Sequence, residues 1–106
     1  MKHLSWPQLE QGLANRGDNY FEFLRVPAMS AGLYALSAGE LDVQEPHRED
    51  EVYVVLAGAA TFTGGDESTL VSSGSVIFVP AHEEHRFHHI TEDLEVVVVF
   101  APAETG

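Results

Sequence analysis

The chain of 106 residues contains no cysteine. Disulfides, thiolate zinc sites and cysteine nucleophiles are thereby removed together, leaving histidine and carboxylate as the available metal ligands. Basic residues are scarce as well: five Lys and Arg stand against seventeen Asp and Glu, a formal charge of −12. Phosphate backbones and anionic lipid surfaces repel so acidic a chain, so neither nucleic acid nor a membrane is an expected partner. Long apolar runs are missing too. The uncharged stretch from Val52 to Gly65 is broken by glycine and too short to span a bilayer. The opening residues MKHLSWPQLEQG lack the apolar core of a signal peptide. A soluble, cytoplasmic protein is expected, and a reducing compartment suits a chain without thiols. With no internal linker or low-complexity segment, residues 1–106 form one expected domain.

What the sequence does contain is β-forming. One helix is expected near the start, over roughly residues 6–14. Ser5 and Gln8 have the spacing of a capping box, Pro7 suits a first turn, and Leu9 and Leu13 share a face. Residues 1–19 then serve as helix and lead-in. Residues 20–100 hold eight short runs rich in β-branched and aromatic residues: 20–26, 32–38, 51–57, 60–63, 68–71, 75–79, 85–90 and 94–100. Turn-forming separators, GAA and TED among them, suggest a barrel or sandwich. The tail, residues 101–106, is expected to be loose. The run Val96 to Phe100 shows no polar alternation, so both of its faces should be covered. A barrel interior covers one face; the N-terminal segment or a second copy must cover the other, and a homodimer is expected.

Alternation along HRFHHI places His85, Phe87 and His89 on one face and Arg86, His88 and Ile90 on the other. If Phe87 faces the core, His85 and His89 do so too. An inward imidazole needs a partner, either a hydrogen-bonding neighbour or a metal. Upstream, His47 and Glu51 precede another strand, VYVVLAG, and supply a second group of ligand types.

Gly39, Glu45, His47, Glu51 and Gly58, followed by Gly74, Pro80, His82, His85 and His89, fall at the spacings of two known motifs. Those motifs are G-x5-H-x-H-x3–4-E-x6-G and G-x5-P-x-G-x2-H-x3-N, and the chain thereby resembles the cupin superfamily, in particular its small single-domain bacterial members. The resemblance covers residues 39–89. It implies an all-β double-stranded β-helix, a jelly roll, here with a short N-terminal helix. It also implies one divalent transition metal (Mn, Fe, Ni or Zn) in the barrel, with His47, Glu51 and His85 matching ligand positions.

The departures are Glu45 for the first histidine, His82 for a turn glycine and His89 for the final asparagine. Face parity with His47 favours Glu45 as the fourth ligand, whereas a bulge would bring in Gln44 instead. His89, on the same face as His85 but further along the strand, is expected to touch substrate or support the ligands. His82, Glu49, Asp50, Glu83 and Glu84 are expected to be solvated, with His88 facing out. Phe87, together with Phe62, Tyr53 or Phe78, should line a small-molecule pocket. The expected function is a metal-dependent enzyme of oxidoreductase or isomerase type, such as a dioxygenase, isomerase or decarboxylase. Glu45 and His89 are its acid–base candidates. The alternatives are a non-catalytic barrel that binds or senses a small molecule or metal, and a dimer stapled by its metal. Fold alone does not choose among them.

Overall fold

The computed structural model describes residues 1–105; only the last residue of the expected tail, Gly106, lies outside it. Helix α1 spans Trp6–Arg16. At its start the Ser5 hydroxyl accepts from the Gln8 amide at 3.3 Å while the Gln8 side chain accepts from the Ser5 amide at 2.8 Å. The expected reciprocal cap is therefore formed. The helix ends on Gly17 in the left-handed region, two residues beyond the expected stop.

Six strands follow among the described residues: β1 Tyr20–Val26, β2 Met29–Leu36, β3 Asp50–Gly64, β4 Glu67–Ser72, β5 Val76–Val79 and β6 His85–Ala101. All pairings are antiparallel, in the order β1-β2-β6-β3-β4 with β5 against the first part of β3. The expected separators GAA and TED are not turns. Both lie inside long strands that pair with each other through three register shifts, between Val55 and Thr61 of β3. Here β3 and β6 bend together, so each contributes its two halves to different parts of the barrel. Gly58 sits at this bend with φ +97°, and a Cβ there would lie 2.3 Å from the Asp93 carbonyl oxygen. A run of β propensity interrupted by small residues thus marks a bend between sheets as well as a hairpin.

The core fills the space between the two layers, with Tyr53, Val55, Phe62, Phe87, Leu94, Val96, Val98 and Phe100 all buried. Val97 and Val99 face outward and are half-buried. Cross-strand pairing builds two outer rows, Ala31–Val99–Val52–Phe78 and Leu33–Val97–Val54–Val76. Ala31 and Leu33 are buried on the flank where α1 packs against β1 and β2, whereas Val76 and Phe78 are 68% and 61% exposed. Phe78 therefore does not line the interior, because Ile77 and Val79 take the inward positions of β5, opposite Tyr53 and Glu51.

The tail is held as well. Glu104 N–H donates to Ser30 Oγ at 2.9 Å, Arg25 Nη2 donates to the Glu104 carbonyl at 2.9 Å, and Thr105 Oγ1 donates to Glu49 at 2.7 Å. The expectation of a loose tail fails over residues 103–105 because backbone and side-chain donors there find acceptors on the barrel.

Candidate metal centre

Three side chains converge inside one end of the barrel. Glu51 enters from the start of β3, opposite Phe100 and Val79, and is 1% exposed. His85 opens β6 on the other layer. His47 precedes β3 in a loop, and its carbonyl accepts the His82 amide at 2.7 Å, which ties the two sequence motifs together. One ligand atom from each of the three lies within 4.8 Å of the others.

His85 Nε2 is 2.9 Å from Glu51 Oε1, and His47 Nε2 is 3.7 Å from Glu51 Oε2. Among the described residues, His85 Nε2 and both Glu51 oxygens are buried and make no well-aligned hydrogen bond, the 2.9 Å contact being an ion-pair distance. Buried polar atoms without a partner are costly, and a divalent cation among two imidazoles and a carboxylate would satisfy all three. The opposite nitrogens are already engaged. His85 Nδ1 meets the Glu83 carbonyl at 2.9 Å and His47 Nδ1 meets Glu104 Oε2 at 3.2 Å, so both rings turn Nε2 toward the shared centre. Burial pushes the His85 imidazolium down, but Glu51 and the Glu83 carbonyl outweigh it and the net direction is up.

Glu45 does not join this group. It is exposed, and residues 41–47 form no strand, so parity with His47 does not apply to them. Gln44 occupies the inward place. Its Nε2 donates to Asp42 at 2.8 Å, its Oε1 accepts from Tyr53 at 2.9 Å, and Oε1 lies 3.4 Å from His47 Nε2. Because Asp42 only accepts, it fixes the amide with its oxygen toward the histidine. Asp42, which the sequence did not single out, is buried. It also accepts from Tyr34 at 2.7 Å and from the Phe87 amide at 2.9 Å, pinning the loop to β6.

His89 is also displaced. Its φ of +48° and the surplus residues of β6 around it break the alternation. It is exposed and its Nδ1 lies 2.6 Å from that of His88. His88 in turn reaches Thr63 Oγ1 at 2.6 Å. His82 and Glu84 are exposed as expected, whereas Glu49 is 4% exposed and accepts from Thr105.

Beside the three ligands lies a cavity of about 120 Å³, lined by Tyr20, Tyr34, Tyr53, Val98, Phe100 and Glu104 with Gln44 and His47. Burial raises the tyrosine hydroxyls and the Glu104 carboxyl above their ordinary ranges. The Tyr20 hydroxyl is buried and has no hydrogen-bond partner among the described residues. Gly32 makes room for its ring, since a Cβ there would lie 2.3 Å from it.

A double-stranded β-helix with a His–Glu–His group inside one end defines a class of barrel able to hold a metal. Residues 32–101 match the Cupin domain family, and the chain belongs to it. It is 51% identical over 105 residues to an uncharacterized protein of Streptomyces coelicolor, covering 99% of this chain and all of that one. TT1209 from Thermus thermophilus shares the fold with a TM-score of 0.76 and 24% identity over 97% of this chain and 99% of that one. An RmlC-like cupin family protein from Methanocaldococcus jannaschii gives 0.71 and 20%, over 78% of each chain.

Proposed function

We propose that this cupin binds one divalent transition ion through His47 Nε2, Glu51 and His85 Nε2, with Gln44 Oε1 beside them as a fourth donor. The observation that carries this is the convergence of one ligand atom from each of His47, Glu51 and His85 to within 4.8 Å of one another, with Glu51 and His85 buried. We propose further that a small molecule enters the adjoining cavity, where the free Tyr20 hydroxyl can bond to it and the aromatic walls exclude water. When bound, such an ion supplies a Lewis-acidic centre able to polarise a substrate oxygen. Metal-dependent turnover of that molecule, of oxidoreductase, isomerase or decarboxylase type, is the proposed activity. The protein's share is to orient the substrate against the ion through Tyr20, Gln44 and the fixed imidazoles.

Elemental analysis of purified protein tests the site. The unaltered chain should carry about one transition ion. His47→Ala combined with His85→Ala should carry none, and His88→Ala should match the parent. Metal retained in the double variant refutes the assignment. We also propose a homodimer formed through the outer face that carries Val52, Val54, Val76, Phe78, Val97 and Val99, an uncharged patch on an acidic molecule.

A further inference from the structure

The last described residues run back over the end of the barrel that holds the ligands. Their anchors come from separate elements: Arg25 on β1, Ser30 on β2, Glu49 before β3, and Pro27 in the first hairpin, whose carbonyl receives the Ala103 amide at 3.5 Å. Ser30 is wholly buried, so its bond to the Glu104 amide fixes that backbone from beneath. The segment is thus held on both sides of Glu104 and directs its carboxylate to His47 Nδ1, 3.2 Å away. Of the two histidines, His85 has its Nδ1 oriented by a backbone carbonyl of its own turn. His47 sits in a loop without strand geometry and has no such carbonyl on Nδ1. Packing of its ring on Phe100, with centroids 4.9 Å apart, restrains the ring without selecting a tautomer, and Gln44 Oε1, 3.4 Å from Nε2, draws the proton to the nitrogen that must be free to ligate.

We infer that Glu104 is a positioning residue for the metal centre: its carboxylate, 3.2 Å from Nδ1, holds the proton there against the pull of Gln44 Oε1 on the other side and so leaves the Nε2 lone pair free for the ion. This rests on the proposed metal site and adds the tail to it. A carboxylate behind a ligating imidazole fixes its tautomer and orientation, and losing such a partner typically costs 10- to 100-fold in metal affinity. The tail is then part of the site through a residue that matches neither sequence motif.

Two measurements test this. In metal-free unaltered protein, above the imidazole titration range, nitrogen-15 chemical shifts of His47 should show the Nδ1–H tautomer. Finding the Nε2–H form overturns the inference whatever any variant does. Calorimetric titration with Co²⁺ should then show Glu104→Leu weakened about 10-fold or more. Glu104→Gln, which keeps an accepting oxygen, should recover most of the affinity, and only Glu104→Leu should lose the single tautomer. Unaltered affinity in Glu104→Leu, or weakened affinity with the His47 tautomer unchanged, overturns the role of Glu104 while leaving the metal site standing. If the unaltered protein fails to bind Co²⁺ and other divalent transition ions, the metal site and this inference fall together.

Discussion

Gln44 and Glu45 are neighbours with opposite fates, and the difference lies in what each side chain can bond to. Gln44 has a donor for Asp42 and an acceptor for Tyr53, so its amide can be buried with both ends satisfied. Glu45 would bring a second carboxylate beside Glu51, and two such charges repel strongly. Gln44→Ala should therefore weaken metal binding by about 10-fold or more, while Glu45→Ala should leave it unchanged; calorimetry on the two variants decides between them. His85 carries a pH dependence at the same scale. Its value in the folded protein is raised above the ordinary 6.5. In metal-free protein its contribution to stability is full below that ordinary value and is lost as pH climbs through the raised one. Bound metal reverses the trend, because the imidazole must be unprotonated to ligate. Thermal melting across this range, with and without chelator, should show the two opposite slopes, and His85→Gln should flatten both.

At the scale of elements, the bend in β3 and β6 positions the site. The first part of β3 carries Glu51 and the start of β6 carries His85. Only because both strands turn near Gly58 do the two layers close face to face and bring these residues together. The left-handed φ of Gly58 and the Asp93 carbonyl 2.3 Å from its would-be Cβ leave no room for alanine. Gly58→Ala should cost about 3 kcal/mol, a strained backbone adding to an overpacked contact. Chemical denaturation measures this, and a cost below about 0.5 kcal/mol, within the range of ordinary surface changes, would show the bend to be adaptable. The same surplus of residues on β6 that permits the bend carries His89 out of the barrel.

For the whole molecule, the net charge and the outer sheet face act against each other. A chain of charge −12 repels its copies at long range. The valine rows ending in Val76 and Phe78 nevertheless present an uncharged, exposed apolar surface of the kind that marks association sites. A two-fold pairing through this face would bury identical patches on both copies. Sedimentation should give a dimer at micromolar concentration, tightened by added salt as repulsion is screened. Phe78→Glu should yield monomer without unfolding, since the side chain is 61% exposed in the single copy. A monomer of 11.6 kDa from the unaltered chain would remove the proposal.

The sequence by itself determined the helix cap, the all-β class, and His47, Glu51 and His85 as the converging residues. Each of these depends on spacing along a covalent chain, or on a strand whose alternation is regular from its first residue. Tertiary structure decided the rest. Parity carries no information in a loop, so which of Gln44 and Glu45 turned inward depended on Asp42 and Tyr53, partners supplied by the folded loop and by β3. Parity failed again at His89, where a bend added residues that no local pattern announced. Phe78 and Val79 were equally apolar, and only pairing with β3 chose which of them entered the core. Glu104 lay outside both motifs and reached His47 because Arg25, Ser30 and Glu49, distant in sequence, offered the tail its hydrogen bonds.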